Sequence, residues 1–265
     1  MNESVKDVLI EEEDYILKLE NYNDEKYILK KYFKNEIGEI SEVSFVTDEE
    51  ILKQKKENLR LGNLKAKQKI NEYILCNNFN YFFTLTLDKD KVNSRYDMCY
   101  LSAKIRNSFK YLKKKYPDLI YIIIAEHHKK DGAIHFHGLT NIIPYEEVNN
   151  NGYLHSKYFF NSYGFNSFLE LYGDKAQLAN YITKYINKDM IRFDGGYRYI
   201  SSRGLKTKTT LKIDIKGKNL LPLYVYLQNE HIEPFVSSTK YNTVSIFEIK
   251  RENLEKVIDF LKNTL

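Results

Sequence analysis

Alternating apolar and polar positions predict the clearest strand of this chain, within 80–88 (NYFFTLTLD). Because successive strand side chains point to opposite faces, Phe83 and Leu85 are predicted to share one face. Phe82 and Thr84 are predicted to share the other. The β-branched and aromatic content of the segment also favours a strand.

Apolar residues at helical spacing predict further elements. Leu101, Ile105 and Phe109 repeat every four residues, and Pro117 ends the helix they indicate. Helices are predicted over 47–75, 96–116, 175–188 and 252–262. Two more strands, over 120–130 and 133–142, surround a turn in which Asp131-Gly132 supplies left-handed conformations. Strands with helices interspersed predict an α+β protein.

Charge divides the chain unevenly. Residues 1–60 hold 16 acidic and 10 basic side chains, a net charge of −6, so the total of +5 leaves +11 for the rest. A basic body fits a polyanionic partner, and abundant tyrosine and phenylalanine suit single-stranded nucleic acid. We predict an acidic extension over 1–75, a core over 76–212 and an extension over 213–265 that packs on the core.

Composition also excludes several classes of protein. No apolar stretch approaches the length of a membrane span and the N-terminus lacks a signal pattern, so we predict a cytoplasmic protein with no membrane partner. Cys76 and Cys99 are the only cysteines, which leaves neither a disulfide framework nor a cysteine-based zinc site. No GxxxxGK[ST] phosphate loop is present.

Two histidines one residue apart, His135 and His137, predict a metal site because alternate strand residues share a face. In an antiparallel hairpin with a loop of two or four residues, Glu126 joins that face; an odd loop would remove it. The same parity makes His128 available. Two imidazoles and a carboxylate suit Mg²⁺ or Mn²⁺, and the ligand types also suit Zn²⁺. Gly138 allows close approach at this point.

A second candidate group follows about forty residues later, on the helix predicted over 175–188. Tyr181, Lys184, Tyr185 and Lys188 form one stripe at helical spacing. A phenol has an ordinary pKa of about 10, so attack on a phosphate needs a nearby cation such as Lys184 or a metal-activated phosphate. The alternative interpretation is that the tyrosines merely edge the core.

Three ordered motifs resemble HUH-type replication initiators of rolling-circle phages and plasmids. They are FTLT (83–86), HFHGL (135–139) preceded by Glu126, and ANYITKYINK (179–188). The resemblance extends from about residue 81 to residue 205. It implies a ferredoxin-like or RRM-like α+β fold, with a central five-stranded antiparallel sheet flanked by helices.

The resemblance also implies the reaction. An origin strand is cut, the 5′ phosphate stays on tyrosine, and a free 3′-OH primes a host polymerase. Tyr181 would act first with Lys184 as its partner, and Tyr185 would perform the second cleavage. The partner is single-stranded DNA at a replication origin, with unwinding by a host helicase. Phosphate contacts are predicted at Lys188, Arg198, Arg203, Lys206 and Lys208.

Other classes of protein share parts of this pattern. A two-tyrosine HUH transposase would share the whole active site. Leu139 disfavours conjugative relaxases, which usually carry a third histidine, and His-triad phosphohydrolases, which need H-x-H-x-H. The non-enzyme alternative is a ferredoxin-like module that binds single strands without cutting them.

Overall fold

The computed structural model describes most of the chain, namely residues 15–24, 26–33, 48–128, 131–148, 153–173, 175–184, 191–215, 220–238 and 243–263. The chain forms two compact units. We call Phe45–Lys206 the central unit, and Met1–Ser44 together with Thr207–Leu265 the terminal unit.

The strands, in chain order, are β1 (Tyr15–Asn21), β2 (Tyr27–Phe33), β3 (Tyr81–Thr86), β4 (Tyr121–His127), β5 (Ile134–Thr140), β6 (Glu146–Val148), β7 (Leu154–Ser156), β8 (Asn166–Glu170), β9 (Ile200–Ser201), β10 (Thr209–Ile215), β11 (Phe235–Ser238) and β12 (Thr243–Ile249). The helices are α1 (Asp48–Cys76), α2 (Met98–Lys115), α3 (Lys157–Ser162), α4 (Lys175–Thr183), α5 (Leu221–Asn229) and α6 (Arg251–Asn263).

The central unit is built on an antiparallel sheet with strand order β6-β7-β8-β3-β5-β4-β9. Along the chain, β3-α2-β4-β5-α3-β8 follows the β-α-β-β-α-β pattern of ferredoxin-like folds. The prediction of an α+β fold with an antiparallel sheet flanked by helices is confirmed. This sheet has seven strands where five were expected, because β6, β7 and β9 add edge strands of two or three residues.

Two separate clusters of buried side chains pack on the central sheet, as the alternation in β3 predicted. One cluster joins Phe83 and Leu85 to residues of α2 and α3. The other joins Phe82 to residues of α1 and α4. Each fully buried large apolar side chain contributes about 1.5–3 kcal/mol to folding. Helices therefore cover both faces of this sheet.

The units divide the chain at positions that differ from the predicted boundaries. Helix α1, expected in an N-terminal extension, belongs to the central unit because Ala66, Ile70 and Ile74 are buried in its core. The two chain ends, expected to be separate extensions, form one unit because β1 pairs with β10 and β2 pairs with β12.

The terminal unit is built on an antiparallel sheet with strand order β10-β1-β2-β12-β11. Leu17, Leu29 and Phe247 of this sheet share a buried cluster with residues of α5 and α6. Alternate positions on the same strands point to the opposite face. In the part of the chain that the structure describes, no helix has the length and apolar character to cross a membrane.

Candidate active site

Polarity rises along the face of the central sheet that α1 and α4 cover. The strands β3, β5 and β4 place side chains in three successive rows on this face, namely Phe82-Leu139-Ile122, Thr84-His137-Ile124 and Thr86-His135-Glu126. The first row lies entirely in the buried cluster. The third row is entirely polar, so the candidate site lies at one end of this face.

The register of the β4–β5 hairpin confirms the parity argument from the sequence. Glu126 lies directly opposite His135, and His127 lies opposite Ile134 with its side chain on the other face. Glu126, His135 and His137 therefore share one face of the sheet. Gly138 permits this close packing, since a Cβ there would lie 2.2 Å from the carbonyl oxygen of Ile122.

His137 is held by two neighbours, and its side chain is 12% exposed. Its Nε2 lies 3.1 Å from Oε2 of Glu126, and its Nδ1 lies 3.1 Å from Oγ1 of Thr84. Burial, followed by the nearby charge of His135, lowers the pKa of His137 to about 4. The imidazole is therefore neutral at neutral pH, which is the form that binds metals.

His135 belongs to a second polar group on the hairpin. Its ring stacks on that of His128 with centroids 4.5 Å apart. Asp131 links His128 to Arg95, with distances of 2.9 Å to Nδ1 of His128 and 3.1 Å to Nη2 of Arg95. Burial, and then the charge of His128, lowers the pKa of His135. Of these three neighbours, the sequence had pointed only to His128.

The donor set suits a hard or borderline divalent ion, since it offers a carboxylate and neutral imidazoles. Glu126 and His137 already bring donor atoms together. The rings of His135 and His137 have centroids 6.4 Å apart. Within the described ranges, no three His, Cys, Asp or Glu side chains form a cluster that could hold an ion as they stand. Two of the three predicted ligands meet, and the third stacks on His128.

Tyr181 lies on the same face, carried by α4. Burial of Ala179 and Ile182 in the sheet cluster fixes this helix and leaves Tyr181 43% exposed. The Tyr181 ring meets Phe82 edge-on at 5.4 Å, and Phe82 in turn stacks on the ring of His137 at 5.9 Å. A single aromatic ring thus separates the tyrosine from the histidine in this chain of contacts. Alternation predicted the face on which Phe82 lies, but it indicated no role for Phe82 at the site.

The remaining members of the predicted tyrosine stripe divide into two groups. Nζ of Lys184 lies 5.7 Å from the centroid of the Tyr181 ring. Its cationic charge is therefore next to the phenol, as the spacing along the helix predicted. Tyr185 and Lys188 lie outside the described residues.

Arg198, one of the predicted phosphate contacts, is fixed against α1. Its Nε donates to Oδ1 of Asn63 at 2.6 Å, and its guanidinium lies where a Cβ on Gly62 would be only 2.3 Å away. Burial, and then the charge of Arg192, lowers the pKa of Arg198. The residue therefore helps to hold the 196–199 segment on α1.

The other predicted phosphate contacts also differ from one another. Arg203 and Lys206 are exposed, and the backbone of Lys206 exchanges two hydrogen bonds with Asn77. Lys208 belongs to the terminal unit, where its Nζ lies 2.6 Å from Oε1 of Glu20. Because this carboxylate already matches its charge, Lys208 is a poorer phosphate ligand than Arg203 or Lys206.

A groove of about 280 Å³ runs between α1 and the 196–199 segment of the central unit. Its lining places Lys65 beside Tyr197 and Tyr199. Tyr197 is 61% exposed. Cations next to exposed aromatic rings are typical of surfaces that bind single-stranded nucleic acid.

Comparison with known families agrees with this geometry. The family model of the replication-associated protein ORF2 matches residues 80–190, a span that begins just before β3 and extends past α4. The match supports a role in replication initiation. No curated protein and no solved structure matches the chain.

Proposed function

We propose that the protein is a replication initiator that nicks one DNA strand through a covalent link to Tyr181. The observation that carries the proposal is the common location of four side chains. Glu126, His135 and His137 lie at one end of one sheet face, and α4 holds Tyr181 over that same face. A match to a replication-associated family covers all four residues.

The reaction needs little beyond positioning and charge. The phenolate oxygen of Tyr181 attacks a backbone phosphorus, a P–O bond to tyrosine forms, and the bond from phosphorus to the 3′ oxygen breaks. The leaving 3′ oxygen takes a proton from water. Lys184 beside the ring stabilises the phenolate, since a nearby cation favours the charged form. The products are a 5′-phosphotyrosyl link and a free 3′-OH.

Glu126, His135 and His137 would hold Mg²⁺ or Mn²⁺ in this proposal. A bound ion would supply Lewis acidity toward the scissile phosphate. Thr84 fixes the orientation of the His137 ring through Nδ1, which leaves Nε2 toward Glu126. The apolar rows beside the site exclude water from one side.

The bound partner is single-stranded DNA at an origin. The exposed cations Arg203 and Lys206 would contact phosphates, and the groove with Lys65 and Tyr197 would accept a strand. The resemblance assigns the second cleavage to Tyr185. Unwinding and synthesis would then be performed by a host helicase and a host polymerase.

Incubation with Mn²⁺ and origin single strands tests the proposal. Wild type should form a protein–DNA adduct on a denaturing gel, with mass spectrometry placing the phosphate on Tyr181. Tyr181→Phe should form no first-strand adduct. Tyr172→Phe is the matched control, because Tyr172 is 85% exposed and should keep wild-type yield.

The metal arm uses His137→Ala, which should lose cleavage and keep much of its salt-dependent DNA binding. If Tyr181→Phe formed the adduct at Tyr185 with full yield, the nucleophile assignment would move to Tyr185. If wild type bound single strands and Mn²⁺ tightly and formed no adduct, the protein would instead be a binding module.

A further inference from the structure

The terminal unit carries a second surface of unusual charge. Its helices α5 and α6 pack on one face of the sheet, and no other helix of the unit lies within the described residues. We call the opposite face the open face and define it by Lys18, Lys30, Tyr32, Lys212, Ile246 and Phe235. These residues alternate with the buried cluster along their strands.

Three lysines form one row on the open face. Lys18 of β1 lies opposite Lys30 of β2 and also opposite Lys212 of β10. Neighbouring strands are about 4.8 Å apart, so these cations lie side by side. Like charges directly opposite each other destabilise a sheet. Such a row therefore indicates that an anionic partner binds there.

Charges within the unit only partly compensate this row. Glu20 is 4% exposed and accepts from two lysines, with Oε2 2.8 Å from Lys30 and Oε1 2.6 Å from Lys208. Counting Lys18, Lys30, Lys208 and Lys212 against Glu20 gives four positive charges and one negative, a net charge of +3. Lys212 is exposed, and Lys18 is half-buried.

Aromatic side chains accompany these cations. Nζ of Lys18 lies 4.6 Å from the centroid of the Tyr32 ring. The row that begins with the three lysines continues through Ile246 to Phe235 on the edge strand, and Phe235 is 69% exposed. Cations on one half of a sheet and an exposed aromatic ring on the other suit a strand whose bases stack while its phosphates pair.

We propose that the open face binds single-stranded DNA as a second site, separate from the nicking residues. The choice of DNA rests on the proposed function, whereas the binding itself rests on the charge and aromatic pattern. The residues of the open face all lie outside the 80–190 span that matches the replication-associated family. A site there would hold DNA that flanks the cut.

Fluorescence anisotropy with the full chain and a labelled single strand of about 20 nucleotides tests the proposal. The double variant Lys18→Gln, Lys212→Gln should bind about tenfold more weakly. The slope of log affinity against log salt should fall in magnitude by about 1.4, since each phosphate contact contributes about 0.7. The control is Lys250→Gln, Lys262→Gln, which removes the same charge from exposed positions of the same unit. Equal losses in the two double variants would overturn the proposal.

A second pair of variants tests stacking. Phe235→Ala should weaken binding at least about fivefold, because base stacking on an aromatic ring is lost. Val236→Ala, at a 52% exposed neighbour on the opposite face of β11, should bind as wild type. Tighter binding of a duplex than of the single strand would overturn the single-strand assignment.

Adduct formation separates this proposal from the nicking proposal. Lys18→Gln, Lys212→Gln should still form the Tyr181 adduct at saturating DNA, because it leaves the central unit unchanged. His137→Ala should bind the strand with a full salt slope and form no adduct. Loss of the adduct in the lysine variant at saturating DNA would overturn a separate site, while wild type lacking any adduct would affect the nicking proposal alone.

Discussion

The two sheets of this protein place their polar residues differently. The central sheet is covered by helices on both faces, and its polar rows lie at one end of a covered face. The terminal sheet is covered by α5 and α6 on one face, and its lysine row crosses the middle of the other. A covered end favours chemistry, because low solvent access strengthens electrostatic effects. An open face favours binding.

Buried ionisable groups show the same difference. In the central unit, burial keeps His137 neutral by lowering its pKa to about 4. In the terminal unit, burial alone would raise the pKa of Glu20, but hydrogen bonds from Lys208, Lys30 and Tyr22 outweigh it and lower the pKa. The first unit therefore stores a neutral donor, and the second stores a paired charge.

The largest expected effect comes from Gly138→Ala, which would break the closely packed sheet of the central unit. A Cβ at this position would lie 2.2 Å from the Ile122 carbonyl oxygen and 2.5 Å from the Phe83 ring. Because backbone of a neighbouring strand must move, we expect a loss of about 3 kcal/mol in the free energy of unfolding. Urea denaturation measures it.

Gly62→Ala is the matched control for this prediction. Its Cβ would meet only the end of the Arg198 side chain, which can rotate away, and alanine favours a helix over glycine. We expect a change within about 1 kcal/mol. If the two alanine variants were equally stable, tight β4–β5 packing would not be what supports the site.

Local alternation explains which features the sequence could reveal. Period-two patterns placed Phe83 and Phe82 on opposite faces, and hairpin parity placed Glu126 opposite His135. These inferences need only neighbouring residues and the geometry of a turn. The second helix-covered face was foreseen through α4, whose apolar residues Leu178 and Ile182 follow a helical spacing.

Long-range pairings had no such local signal. The contact between Glu20 and Lys208 joins strands separated by most of the chain, so Lys208 seemed a free cation in the sequence. Likewise, Arg198 fits beside Gly62 through tertiary packing that periodicity does not encode. The half-exposed α1 carried too narrow an apolar stripe to show that it belongs with the central sheet.

A smaller effect is expected from Glu20→Gln, which would remove the stored charge of the terminal unit. Lys30 and Lys208 would lose a charged partner that is 4% exposed. The loss of charged hydrogen bonds at a buried site predicts destabilisation by about 2 kcal/mol. Glu248→Gln on an exposed position should change stability by under about 0.5 kcal/mol. Hydrogen exchange of β1 and β2 would show whether the loss is local.

The same variant predicts a pH dependence. Because the folded pKa of Glu20 lies below its ordinary value of 4.5, its contribution to stability is full above that value. The contribution falls as pH drops through the lowered folded pKa. The stability difference between wild type and Glu20→Gln should therefore be constant near neutral pH and shrink below about pH 4.5. A difference that grew on acidification would contradict the paired-charge account.

The smallest predicted change, Thr84→Val, sharpens the comparison at the covered end of the central sheet. The substitution removes the Oγ1 contact 3.1 Å from Nδ1 of His137 and keeps the side-chain shape. Without that contact the ring loses its fixed orientation, so Mn²⁺ affinity should fall about tenfold. Calorimetric titration measures the affinity. Thr86→Val, in the row of His135, is the control and should bind Mn²⁺ nearly as wild type. Equal affinities of both variants and wild type would mean that burial alone, without the threonine, orients His137.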